Sequence, residues 1–204
     1  MNYSKYARTI ARVAQSVCLC FFITALAPPA TTYTLANDYS VTIHGTSNLH
    51  NWDETVTNVS GNAQADIHAD KSITLNALNI RMLVCSIKSD MGAVMNKNTY
   101  KALKEDLNPS ILFVLTSPVT SVRAASKADI SVKANLTIAG VTKAVLIQGI
   151  MYMKDPSAFT FEGSHAIKMS DYGVDPPEAL LGTLQTGDEI TIHLKTTFRL
   201  PAVK

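Results

Sequence analysis

Cysteine is scarce in this chain, with three residues in 204. Cys18 and Cys20 fall in an apolar N-terminal stretch, which leaves Cys85 alone in the remainder. One thiol forms no internal disulfide, so a cross-linked scaffold is excluded. Its neighbours Met82, Leu83 and Val84 are apolar, and that context reads as a buried packing thiol. Long hydrophobic runs are also lacking. The longest, Val13 to Ala27, falls short of the ~20 apolar residues that a membrane span needs. Lys5, Arg8 and Arg12 precede it and small residues follow, which is the layout of a secretory signal peptide. Cleavage is expected after Ala27, where Pro28 opposes it, or after Ala36 in Thr34-Leu35-Ala36. Residues 1–36 are therefore read as signal and cleavage region, and residues 37–204 as one domain of about 165 residues, with no stable membrane span after the cut. A retained N-terminal anchor is the alternative. Val17-Cys18-Leu19 lacks the small residues of a lipid-attachment box before Cys20.

An excess of charge of one sign is missing too. The full chain carries +2, with 18 basic and 16 acidic residues. Three of the basic residues lie in the leader, so the remainder is near −1. Lys and Arg are scattered and no basic run is interleaved with aromatics, so a nucleic-acid surface is not expected. No G-x-S-x-G elbow, H-E-x-x-H pair or ordered glycine loop occurs.

Alternation with a period of two runs through most of the chain, interrupted by turn residues. It is seen in Tyr39 to His44, in Ala63 to His68 and most fully from Ile130 to Ile138. Between Ser72 and Val84 the parity switches from Ile73, Leu75 and Ala77 to Leu78, Ile80 and Met82, which predicts a bulge near residues 76–79. Eight or more strands joined by short turns argue for an all-β antiparallel barrel or sandwich, and the long strand near 128–139 favours the barrel. Residues 90–107 break the pattern. Met91, Val94 and Met95, continued by Leu103 and Leu107, form a stripe that predicts a short helical insertion, stopped at Asn108-Pro109. A second short helix is expected from Asp175-Pro176-Pro177-Glu178. Gly140 and Gly187-Asp188 are expected to make strand reversals.

The segment HGTSNLHNWDE, residues 44–54, holds two histidines, hydroxyls and carboxylates within eleven residues. Parity argues against catalysis. With Ile43, Gly45, Ser47 and Leu49 facing inward, His44 and His50 face outward. A hydrolytic triad needs groups that converge through the fold, not neighbours on one strand. His68, His165 and His193 lack metal-ligand spacing. No catalytic residue and no metal ligand are assigned, and the chain is read as a non-enzyme.

Gly45-Thr46-Ser47-x-Leu49-His50-x-Trp52 resembles the opening motif of one branch of the YceI-like family. Leu136-Thr137-Ile138-Ala139-Gly140-Val141-Thr142-Lys143 resembles the family's central hairpin, with Ala144 where the family usually has proline. Asn108-Pro109-Ser110-Ile111-Leu112-Phe113 resembles its "P-x-I-x-F" strand start, and Asp171 to Val174 with Gly187 to Ile190 its last hairpin. The motifs occur in the family's order over most of residues 39–200. The better-known branch opens instead around a "K-H" pair. The resemblance implies an eight-stranded, lipocalin-like barrel, periplasmic or secreted, that holds a polyisoprenoid lipid or an isoprenoid quinone.

Residue chemistry leads part of the way to the same place. An eight-stranded barrel is just wide enough for its own side chains or for one slim ligand. The inward parity supplies Phe113, Leu115, Leu136, Ile138, Val145, Ile147, Phe159, Phe161, Ile190 and Ile192 as apolar lining. Met91 and Met95 suit an adaptable mouth, or else close one end of an ordinary core, and residues 171–189, with Leu180 and Leu181, suit a second rim. Trp52 reads first as a core plug and second as a ligand contact. The partner expected is a hydrophobic small molecule, with a homodimer through the outer face as a further candidate. Two rivals stand beside this reading: an enzyme on a barrel scaffold, and a solid, ligand-free structural module.

Overall fold

A computed structural model describes residues 30–70, 72–121, 127–179 and 183–201. Residues 1–29, with Cys18, Cys20 and the cleavage position expected after Ala27, lie outside the described residues, as do Leu180 and Leu181.

The strands follow chain order as a meander: β1 (Thr31–Leu35), β2 (Ser40–Ser47), β3 (Asn51–Val56), β4 (Val59–Ile67), β5 (Ile73–Leu83), β6 (Ile87–Ser89), β7 (Ser110–Leu115), β8 (Val119–Thr120), β9 (Lys127–Ile138), β10 (Val141–Asp155), β11 (Ala158–Lys168), β12 (Glu178–Ala179) and β13 (Leu184–Arg199). Several of these are halves of one broken stave. β1 with β2, β3 with β4, β5 with β6 and β7 with β8 each make one wall element, joined by β9, β10, β11 and β13. The result is a closed, eight-stranded antiparallel barrel. β13 closes it by pairing with β1 through Thr34–Arg199 and Leu35–Phe198, and with β2 from Lys195 to Thr186.

β9 shows why the sequence folds this way. Along its twelve residues buried Ala128, Ile130, Val132, Ala134, Leu136 and Ile138 alternate with polar residues that face solvent. Each turn of the pleat places one side chain inside and the next outside. The bulge expected near 76–79 falls at Asn76, where pairing with β4 jumps from Gln64–Ala77 to Ala65–Leu75. The extra residue returns Leu78 and Ile80 to the interior that Ile73 and Leu75 face. The β9–β10 reversal uses positive φ at both Ala139 (49°) and Gly140 (83°), the twist that suits a two-residue hairpin.

One end of the barrel is closed by aromatic rings. Tyr33, Phe159 and Phe198 are each at most 3 % exposed. Tyr33 meets Phe159 edge-on at 5.1 Å, and Phe159 stacks on Phe198 at 5.3 Å. The Tyr33 hydroxyl donates to the Pro156 carbonyl at 2.9 Å, which satisfies its polar tip where the rings pack. β1 thus supplies part of this floor from residues ahead of position 37, inside the stretch read as leader and cleavage region.

At the other end lies the helix α1 (Ala93–Ala102), inside the predicted insertion. Its apolar stripe differs from the expected one. Met91, Val94 and Leu107 are 51 %, 73 % and 81 % exposed. The helix instead turns Met95, Thr99, Ala102 and Leu103 toward the barrel, a spacing that keeps them on one helical face. Tyr100 ties it down: its hydroxyl lies 2.9 Å from the Cys85 and Ile87 carbonyls and accepts from Lys88 at 2.8 Å.

Three further expectations are corrected. Cys85 is exposed, because a 3-10 turn over Val84–Ser86 buries its two neighbours and turns the thiol outward. Residues 175–177 form no helix and lead into β12; the short helical turn sits earlier, at Ser170–Tyr172. Gly187-Asp188 is no reversal but lies within β13 at a register shift, where the Asp188 carboxylate accepts from the Ser170 amide (2.8 Å) and hydroxyl (2.6 Å).

Candidate functional site

Two spaces lie along the barrel axis. The upper one, beneath α1, encloses about 910 Å³ of empty space, part of it open to solvent. The lower one, above the aromatic floor, encloses about 850 Å³ on the same measure. Val41, Met82, Leu136 and Ile192 belong to both walls, so the chambers meet behind the same four side chains.

Ten of the thirteen side chains expected as lining face these spaces. Trp52, Met95, Ile138 and Ile190 line the upper chamber. Phe113, Ile147, Phe159 and Phe161 line the lower one, and Leu136 and Ile192 line both. Met91 does not, because it precedes the helix and points to solvent. Leu115 and Val145 have the inward parity but are only half-buried and pack against the core without reaching either chamber.

Two of the wall rings, Trp52 and Phe161, are seated on glycines. On adjacent strands Gly45 pairs with Trp52. The indole lies over Gly45 so closely that a Cβ there would stand 2.1 Å from Trp52 Cζ2. The indole NH donates to the Thr46 carbonyl at 3.2 Å, which fixes the ring against the wall. Trp52 is therefore wall, not plug. Lower down, Gly149 pairs with Gly163, and the Phe161 ring lies against both; a Cβ on Gly149 would stand 2.5 Å from Phe161 Cζ. In each case a missing side chain on one strand makes room for a ring from its neighbour.

This geometry accounts for most of the histidine-rich segment. Ser47 closes the β2–β3 hairpin, its hydroxyl donating to the His50 carbonyl (2.7 Å) and accepting from the His50 amide (3.1 Å). Asn48 bonds across to β13, with Nδ2 donating to the Thr183 carbonyl and Oδ1 accepting from the Gln185 amide. His44 faces outward as expected and pairs with Asp53 at 2.9 Å on the surface. Leu49 is 73 % exposed rather than inward, because it occupies the hairpin tip.

The chamber walls also hold polar groups that the sequence reading did not assign. Glu54 is 4 % exposed and lines the upper chamber. It has the parity of Trp52 and Val56 on β3, which was the available signal. Burial pushes its carboxyl up from the ordinary range, the Thr99 hydroxyl bond pulls the other way, and the nearby Asp90 charge raises it further. Thr99 Oγ1 lies 2.5 Å from Glu54 Oε1 and 3.1 Å from the Met95 carbonyl. His165 lines the lower chamber, and burial lowers its imidazole pKa, which favours the neutral ring. Among the described residues no group of three or more His, Cys, Asp or Glu side chains is placed to hold a metal ion, and no helix is long and apolar enough to cross a membrane.

A sequence profile of the YceI-like domain matches residues 32–198. No curated protein matches the chain in sequence. Among solved structures, a polyisoprenoid-binding domain from Saccharophagus degradans, implicated in plant cell wall breakdown, superimposes with a TM-score of 0.64 at 12 % identity, covering 84 % of this chain and 99 % of that one. BcnA of Burkholderia cenocepacia gives 0.59 at 19 % identity, covering 78 % and 95 %. A YceI protein of Campylobacter jejuni gives 0.55 at 15 % identity, covering 73 % and 85 %. At these identities the likeness is one of fold.

Proposed function

The chain belongs to the YceI-like family, and from that premise we propose that it is an exported carrier or store for an amphiphile with a long isoprenoid-like tail, a polyisoprenoid or an isoprenoid quinone. The observation that supports this most is the pair of adjoining apolar chambers, which share four wall residues and have two rings seated on glycines. An apolar chain drawn into such a space gains ~0.8 kcal/mol per buried methylene, so a long tail needs no directional bond to be retained. The polyisoprenoid-binding neighbour from Saccharophagus degradans supports the same ligand class. The basic, then apolar, N-terminal stretch supports export to the periplasm or beyond. Binding, not catalysis, is the role this reading assigns: Glu54 and His165 line different chambers, and the hydroxyl beside Glu54, that of Thr99, also lies against the Met95 carbonyl.

The test is to purify the protein from its native host, extract it with organic solvent and analyse the extract by mass spectrometry. The reading expects an isoprenoid lipid at close to one molecule per chain. An extract without stoichiometric lipid, from a protein that also leaves added isoprenoid quinone unbound, counts against it and in favour of a ligand-free structural module.

A further inference from the structure

One group in the upper chamber is out of keeping with an oily container. Glu54 is a carboxyl at 4 % exposure among aliphatic side chains. Isolated ionisable groups in apolar surroundings cost free energy unless something satisfies them. Here the partner is Thr99, reaching down from α1. Thr99 has one hydroxyl proton and two oxygens near it, Glu54 Oε1 and the Met95 carbonyl. Both contacts are satisfied together when Glu54 carries the proton: the carboxyl donates to Thr99 Oγ1 and the hydroxyl donates to Met95. The second carboxyl oxygen then keeps its capacity to accept, in a residue that lines the chamber.

The surroundings decide what that acceptor can receive. Among the described residues no lysine, arginine or histidine lines the upper chamber. A phosphate or carboxylate head brought in here would be a buried anion with no cation to pair with, beside a carboxyl and within reach of the Asp90 charge. A neutral head that donates a hydrogen bond meets an acceptor already held in place.

We propose that Glu54 is the head-group anchor of the upper chamber, accepting a hydrogen bond from the hydroxyl of an uncharged amphiphile and excluding diphosphate and carboxylate heads. Isoprenoid alcohols and hydroquinones share this hydroxyl chemistry. The inference rests on the lipid-binding reading and adds selectivity to it. The tail enters the lower chamber toward Phe161, and the head stays beneath α1 against Glu54.

The test is a head-group series with a constant tail, titrated against the delipidated, exported protein. Quenching of Trp52, whose indole lines the same chamber, reports binding. The probes are a polyprenyl alcohol, the hydroquinone with the same tail, the polyprenyl diphosphate and a headless isoprenoid hydrocarbon. The alcohol and the hydroquinone are each expected to bind about tenfold more tightly than the hydrocarbon, the yield of one net hydrogen bond. The diphosphate is expected to bind no better than the hydrocarbon. The tighter of the two hydroxyl probes identifies which source the chamber prefers. Glu54→Gln is expected to keep the preference, since its amide donates to Thr99 and still offers a carbonyl. Glu54→Leu is expected to bind all four probes alike. Equal binding of the four heads by the unaltered protein, or tightest binding of the diphosphate, overturns the anchor while the tail-binding reading stands. Failure of every probe to bind overturns both. The head series in the unaltered protein decides the matter even where a Glu54 variant does not fold.

Discussion

The indole of Trp52 lies flat on the backbone of Gly45, its partner across the β2–β3 pair, with no room for a methyl group between them. The glycine and tryptophan of the opening motif are thus one feature, split between adjacent strands. Gly45→Ala would drive the ring off the wall and into the upper chamber. Overpacking of this kind costs ~1–3 kcal/mol. The expected outcome is a loss of that size in chemical denaturation, together with weaker lipid uptake. Gly149→Ala is expected to do the same to the lower chamber through Phe161. A variant with unchanged stability and uptake would show that the ring has another place to go.

Glu54 makes stability depend on pH in a stated direction. Its carboxyl is raised in the folded chain above the ordinary value of 4.5, chiefly by burial. Below 4.5 the carboxyl holds its proton in both the folded and the unfolded state, and the folded chain bears no penalty from it. As pH rises from there through the raised folded value, the unfolded chain releases the proton first and folding loses free energy. Glu54→Gln does not titrate. Its melting temperature relative to the unaltered protein is therefore expected to climb between pH 4 and pH 8, as measured by calorimetry on both proteins, which share Asp90. A constant offset across that range would contradict the assignment.

The floor of the barrel places a limit on the leader. Tyr33 is buried at 2 % exposure and its strand closes the ring against β13. Cleavage after Ala36 would remove both, whereas cleavage after Ala27 leaves them. On the proposal that the N-terminal stretch is an export signal, the mature chain is expected to begin near Pro28, which N-terminal sequencing of protein purified from the native host would read directly. Tyr33→Ala is expected to cost about 3–5 kcal/mol, as for other large aromatic truncations in a core.

Cys85 lies on the outside of its 3-10 turn. It is expected to react with a thiol reagent such as iodoacetamide in the native state, at a rate that denaturant changes little. Strong protection in the folded protein would mean that the turn is oriented differently.

How legible all this was in the sequence depended on how each residue is held. Strands buried on one face announce themselves, and β9 was readable residue by residue because the pleat fixes every second side chain. The bulge at Asn76 was readable for the same reason, as a break in parity. The orientation of α1 was not. A ten-residue helix resting on a barrel mouth touches it with only part of one face, so apolar Val94 and Leu107 could lie in solvent while Thr99 turned inward. Cys85 was misread because apolar neighbours imply burial only while the strand continues, and a turn intervenes there. Glu54 has the parity of Trp52 on β3, yet a carboxylate is seldom buried, so its residue type gave no sign of an interior place. The group most informative about a head group was thus the one that composition disguised.

The central claim is an open apolar passage from Glu54 down to Phe161. Crystals soaked with a long-chain isoprenoid alcohol test it most directly. Continuous electron density along the barrel axis, with its polar end within hydrogen-bonding distance of Glu54 and its tail passing Leu136 toward Phe161, is the predicted result. An axis filled by the protein's own rings, with ligand density confined to the outer surface at saturating concentration, would contradict it.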